Sequence, residues 1–121
     1  MKRAATSFQD LEVWQKAHAL VLDIYRLTAN FPDHERYGLR SQMQRAAVSI
    51  PANIAEGFRK HGAAEKARFY NISQCSLEET RYYLILAQDL KYGDSASLWA
   101  SVDTLARMLN AYIRSMRSRH A

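Results

Sequence analysis

With 121 residues, 48% of them hydrophobic, the chain is long enough for one domain with a buried core and too apolar to be disordered. A formal net charge of +5 and a pI near 9.6 favour acidic partners such as nucleic acid or an anionic membrane, or else a basic surface that has no partner. The single cysteine, Cys75, excludes an intrachain disulfide and a cysteine-built zinc site, which fits a reducing cytoplasm.

Residues 1–7 read as a flexible basic arm. Two basic residues near the start are not followed by an apolar run, so no signal peptide is expected, and no stretch is apolar enough to span a membrane. Ser7 followed by Asp10 resembles a capping box, which starts a first helix running to about Ala29. Val13, Ala17, Leu20, Ile24, Leu27 and Phe31 alternate gaps of four and three, the rhythm of a bundle seam. Trp14, Val21 and Tyr25 widen that face toward two neighbours or a second subunit. Phe31 before Pro32 ends the helix, because a residue preceding proline avoids helical angles.

Asp33 is placed to cap a second helix, with Glu35 in its first turn. Its stripe is Leu39, Met43, Ala46, Ile50, Ile54 and Phe58, and the helix runs to about Arg59. Pro51 lies inside this pattern, so the helix is expected either to kink there or to break and restart at the proline. Gly57 and Gly62 bracket a basic corner made of Arg59, Lys60 and His61. A third helix begins near Ala63 and reaches about Lys91, with a seam of Phe69, Ile72, Ser76, Glu79, Tyr83, Leu86 and Leu90, flanked by Leu77 and Leu84. Cys75, within it, is expected as a small core residue.

Gly93 is the expected C-cap, and Asp94 or Ser95 the next N-cap. The fourth helix carries Leu98, Val102, Leu105, Leu109, Tyr112 and Met116, with Trp99, Ala106 and Ile113 alongside; residues 117–121 form a loose basic tail. Four helices joined by short connections predict a single all-α domain over 1–121, an antiparallel up-down-up-down four-helix bundle with helix 2 kinked near Pro51.

The run YGLRSQMQRAAVSIPANIAEGFRK, with DLEVWQKAHALV before it and YNISQCSLEETRYYLILAQDL after it, resembles the bacterial four-helix-bundle proteins named after intervening sequences in 23S ribosomal RNA genes. The resemblance covers residues 8 to about 90, and its specific core is SIPANIAEG. It implies a small helical bundle, often a ring-shaped homopentamer, with a nucleic-acid role. Related proteins include the accessory subunit of diversity-generating retroelements, which partners a reverse transcriptase. One departure is Gln44, where the family often has an arginine before Arg45, so no arginine pair stands at that place.

Up-down-up-down topology gathers the chain start, the corner between the second and third helices, and the chain end at one pole. That pole collects Lys2, Arg3, Arg59, Lys60, Lys66, Arg68, Arg114, Arg117 and Arg119, whereas the turns at the other pole are nearly balanced. A basic pole attracts phosphate backbones with a steep dependence on salt, and a ring of subunits would stack such poles into a positive annulus. The plainer reading is that cations at helix C-termini complement the helix dipole. Lys66 and Arg68 lie near a helix N-terminus, where the dipole does not favour them. The candidate nucleic-acid-binding residues are therefore Arg59, Lys60, Lys66, Arg68, Arg114 and Arg117. Phe58, Phe69 and Tyr70 interleave with them, as stacking platforms or as core. No helix-turn-helix, zinc-finger or RNA-recognition signature is present, so recognition is expected to be led by charge and shape.

A polar stripe of Arg45, Ser49, Asn53 and Glu56, facing Glu78 or Glu79, predicts an interhelical network that fixes register. Its sharper alternative is a carboxylate pair for acid–base or metal chemistry. His18, His34, His61 and His120 are scattered, and none follows a glutamate at the spacing that di-iron bundles use. No phosphate loop, nucleophile elbow or HExxH motif appears. The sequence thus predicts a non-enzymatic, oligomeric, cytoplasmic accessory protein without cofactors that binds nucleic acid, RNA before DNA, in the form of structured RNA or an RNA–protein complex. The alternative is a homo-oligomeric module that docks a partner enzyme without touching nucleic acid. A metal or small-molecule site in the bundle core is the third reading.

Overall fold

The computed structural model describes residues 4–118; Lys2, Arg3, Arg119 and His120 lie outside them. The described chain is all-α, with helices α1 (Glu12–Thr28), α2 (Leu39–Arg59), α3 (Ala63–Asp89) and α4 (Ala96–Ser118) and single 3-10 turns at Phe8–Asp10 and Asp33–Glu35. Each helix packs on its chain neighbours and α1 also packs on α4, while α1 and α3, like α2 and α4, bring no Cα atoms within 8 Å. The cross-section is therefore a square with one shared core. Leu20, Ile24, Met43, Ile50, Ile54, Leu84, Leu105 and Leu109 are among the side chains fully enclosed in it.

Side-chain pairs across α2 and α3 run in opposite chain directions: Gln42 with Tyr83, Ser49 with Ser76, and Gly57 with Tyr70. The same holds for α3 and α4, where Tyr70 meets Tyr112, Gln74 bonds Asn110, and Arg81 bonds Asp103. The connection between α2 and α3 is only Lys60, His61 and Gly62. Gly62 takes a φ of +83°, a conformation costly for any residue with a Cβ.

Helix boundaries differ from the sequence expectation in instructive ways. Ser7 and Asp10 do form a capping box, but it closes the 3-10 turn, and extended backbone at Leu11 separates that turn from α1. Asp33 caps nothing; it sits in a second 3-10 turn, and Glu35 Oε1 instead accepts from the Leu39 amide (3.1 Å) to start α2. The α2 helix runs continuously through Pro51, which is buried, so the break-and-restart alternative is not what forms. Proline offers no N–H to the carbonyl four residues back, that of Ala47; side-chain donors reach other carbonyls beside it. Asn53 Nδ2 reaches the Ser49 carbonyl (2.8 Å) and Ser73 Oγ, from α3, reaches the Ile50 carbonyl (2.9 Å).

The end of α3 is a Schellman motif: Tyr92 N–H donates to Ala87 O and Lys91 N–H to Gln88 O, both at 3.0 Å. The left-handed residue is Lys91, with φ 62°, not Gly93, where a Cβ would stand 3.0 Å from Leu27 Cδ1. Asp94 Oδ1 receives the Ala96 amide at the start of α4, while Ser95 turns inward and bonds Gln88. The α4 helix extends to Ser118, so Arg117 is helical rather than part of a loose tail.

The largest correction concerns which face of α3 is inside. The enclosed residues are Ala67, Tyr70, Ser73, Ser76, Leu77, Thr80, Leu84 and Ala87. The expected seam is displaced by one position, about 100° around the helix: Glu79 and Leu90 are exposed, and Phe69, Ile72, Tyr83 and Leu86 are half-buried. Cys75, expected in the core, is exposed. The inner face mixes Tyr70, Leu77 and Leu84 with small or hydroxyl-bearing residues, and α3 comes closest to α2 at Gly57, where a Cβ would stand 3.0 Å from Phe69 Cβ.

Away from the α2–α3 corner, Tyr92 ties the two turns together. Its hydroxyl donates to Glu35 Oε2 (2.7 Å), its ring packs on Phe31, and His34 Nε2 lies 3.3 Å from the same hydroxyl. The Leu39 amide, and after it Tyr92, hold the Glu35 carboxyl below its ordinary value. A depressed carboxylate pKa contributes stability above the unfolded value that is lost as pH falls through the folded one. Glu35→Gln is therefore expected to lower the urea midpoint at neutral pH and to match the parent in acid; an equal deficit at both would show that the carboxylate charge is irrelevant.

Candidate nucleic-acid interface

Three segments distant in sequence meet at one end of the bundle. A cleft of about 770 Å³ is lined by Ala5 and Leu11 from the chain start, Phe58 and Lys66 from the α2–α3 corner, and Tyr112 and Met116 from α4. On one side it adjoins a groove of about 440 Å³ that shares Ala63 and Met116 and carries Arg68 and Arg117. On the other it adjoins a groove of about 370 Å³ that shares Phe58 and carries Arg59 and Lys60. The pole thus brings together five of the six predicted binding residues along a continuous surface. The sixth, Arg114, is exposed one helical turn before Arg117 on α4.

Their electrostatic states are unequal. Arg59, Arg114 and Arg117 are exposed and form no hydrogen bond or ion pair with another described residue. Arg68 is paired with Glu65 at 2.8 Å, one helical turn away, and this arginine holds the Glu65 carboxyl below its ordinary value. An exposed pair of that kind is weak and releases its arginine readily to a phosphate. Arg68 and Lys60 both lie over the Phe69 ring, 4.8 and 4.9 Å from its centroid.

Lys66 is more committed. Its ammonium donates to the Phe58 carbonyl (2.6 Å) and the Gly57 carbonyl (3.3 Å) and stands over the Phe58 ring. Those carbonyls belong to the last turn of α2, where intrahelical donors run out and Gly57 O is otherwise met by the Lys60 amide at the cap (3.1 Å). A cation near the N-terminus of α3 is thus explained by the C-terminus of its neighbour: Lys66 complements the α2 dipole, as the plainer reading of the charges holds. Around the whole end, Arg59, Lys60, Lys66, Arg68, Arg114 and Arg117 stand against Asp10, Glu12, Glu56 and Glu65. Around the Tyr92 tie, Asp33, Glu35, Asp89 and Asp94 outnumber Arg36, Arg40 and Lys91. The two ends differ in sign, by a modest margin.

The predicted polar network is partly assembled. Ser49 receives both Asn53 (3.0 Å) and Ser76 (2.9 Å), joining α2 to α3. Glu79 turns to Tyr83, which also donates to Gln42. Arg45 and Glu56 are exposed and carry no hydrogen bond or ion pair with another described residue, so no arginine–carboxylate pair joins the two helices there. The register between α3 and α4 is held instead by Arg81, which bonds Asp103 at 2.6 Å and Glu78 at 3.3 Å, a bridge that sequence spacing did not single out. The described residues contain no group of three or more histidine, cysteine, aspartate or glutamate side chains placed to share a metal ion. No described helix is long and apolar enough to cross a membrane.

The central cleft was also not foreseen. Tyr70 contributes to its wall although it is only 1% exposed, and it forms no hydrogen bond with another described residue. Burial, and secondarily Tyr112, push this phenol up to about 12, so it stays protonated as a hydrogen-bond donor.

The family model of the 23S rRNA-intervening sequence protein matches residues 9–111, from the capped turn to the last third of α4. The chain belongs to this family. Comparison with curated proteins gave no match. The family match takes in Arg59, Lys60, Lys66 and Arg68 and ends before Arg114 and Arg117. This 23S rRNA-intervening sequence family member thus carries its corner cations within the matched stretch and its α4 arginines Arg114 and Arg117 beyond it.

Proposed function

We propose that this family member is a non-enzymatic, oligomeric accessory protein of the cytoplasm that binds structured RNA, or an RNA–protein complex, through its basic end. The observation that carries the reading is the convergence of Arg59, Lys60, Arg68 and Arg117 on adjoining grooves, three of the four without a carboxylate partner among the described residues. Solvated, unpaired guanidinium groups on a concave surface are ready to exchange water and counterions for phosphates. Assembly into a ring would add the poles of several subunits and strengthen a field that is modest in one chain.

The test is binding of a structured RNA as a function of salt, with and without Arg59, Lys60 and Arg68 changed together to glutamate. Affinity is expected to fall steeply with salt, and the variant to lose about 0.7–0.9 units of log–log slope for each phosphate contact removed. Equal salt slopes for parent and variant would refute the assignment.

A second reading, a protein-docking module, is favoured by the exposed apolar residues Leu22, Tyr25, Val48, Tyr82 and Ile85. It predicts partner binding that survives high salt and is lost when Leu22 and Tyr25 become polar.

A further inference from the structure

We propose that the cleft at the basic end is a pocket for one unstacked nucleobase, with the grooves on either side holding the phosphates that flank it. This rests on the RNA-binding reading above and names the form of RNA involved: an unpaired nucleotide in a loop or at a strand end.

The cleft and its neighbours divide the chemistry of a nucleotide between them. The side grooves carry Arg59 with Lys60, and Arg68 with Arg117, and suit phosphates. The cleft between them is walled by Phe58, Met108, Tyr112 and Met116, an apolar and polarisable lining suited to the faces of a base. Its own charges do not suit a phosphate. The Lys66 ammonium is already engaged by two carbonyls, and Glu12, whose negative charge repels anions, is among the lining residues. What remains for a ligand is a neutral, flat body with a polar edge. Tyr70, which lines the cleft and has no hydrogen bond to another described residue, is the neutral donor that would meet that edge.

A base inside a duplex cannot enter, because its faces are stacked and its edge is paired. Single strands, loops and ends can. The geometry thus favours strand continuity through groove, cleft and groove, with Phe58 on one boundary and Ala63 with Met116 on the other.

The experiment compares a short, non-self-pairing single-stranded RNA with its own duplex by fluorescence anisotropy, and uses retention on heparin as the measure of plain polyanion binding. Ala111 is exposed and lines the cleft, so Ala111→Phe fills the pocket without disturbing the core. The parent is expected to prefer the single strand by about tenfold, the scale of one base stacked on a protein surface. Ala111→Phe should remove that preference while heparin retention stays the same. Tyr70→Phe, which keeps the ring and the packing, should weaken the single strand by about threefold and leave the duplex unchanged. Equal affinity for single strand and duplex in the parent, or an unaltered preference in Ala111→Phe, overturns the pocket. In that case loss of all binding on charge reversal at Arg59, Lys60 and Arg68 still upholds the broader RNA reading. If the parent binds neither RNA, both proposals fall.

Discussion

Gly57→Leu is expected to destabilise the protein by ~3 kcal/mol or more. A Cβ at this position would stand 2.9 Å from Tyr70 Cε1 and 3.0 Å from Phe69 Cβ. Neither neighbour can move aside cheaply. Tyr70 is enclosed by the core, and the Phe69 Cβ is fixed to the α3 backbone. Even Gly57→Ala should lose stability, because overpacking costs about 1–3 kcal/mol and exceeds the ~1 kcal/mol that alanine gains over glycine within a helix. Urea denaturation followed by circular dichroism gives the sign directly. A rise in midpoint for Gly57→Ala would mean that glycine does not set the spacing of α2 and α3.

Leu84→Ala should cost ~2–5 kcal/mol, whereas Leu90→Ala should cost under ~0.5 kcal/mol. Leu84 is 0% exposed at the centre of the inner face of α3, and Leu90 is 44% exposed. Leu86→Ala, at a half-buried position, should fall between them. The sequence seam ranks these residues the other way round, with Leu86 and Leu90 central and Leu84 at the edge. The same urea series therefore decides between two rotations of one helix, and equal losses at Leu84 and Leu90 would count against the observed face.

That helix also shows where pattern reading runs out. The helices α1 and α4 have large aliphatic residues on their inner faces, and periodicity alone places Val13, Ala17, Leu20 and Ile24, or Leu98, Val102, Leu105 and Leu109. On α3 the inner face interleaves Tyr70, Leu77 and Leu84 with Ser73, Ser76, Thr80 and alanines, while bulky Phe69, Tyr83 and Leu86 ride on the flank. Large side chains thus stand on both faces, and a hydrophobicity count turns the helix the wrong way. The close approach of α2, signalled only by Gly57, is what makes small residues the right ones inside.

The site divides along the same line. Charges at chain ends and corners follow from helix order, so the cluster of Arg59, Lys60, Arg68 and Arg117 is visible before any coordinates. What each cation does is not. The bonds from Lys66 to the α2 carbonyls, the two cations over Phe69 and the place of Tyr70 in the wall of a cleft all depend on residues brought together across helices. Local sequence carries no sign of them. The departures at Lys91 and Glu35 arise from the way the chain turns: α3 closes in a Schellman motif whose left-handed position falls on Lys91, and Tyr92 bonds the Glu35 carboxylate that starts α2.

The cleft is walled by residues as early as Ala5 and as late as Met116. A chain still emerging from the ribosome has its first three helices long before α4 can dock. The recess therefore comes into being at the final step of folding, and a half-made molecule, however basic, has no place to hold a base.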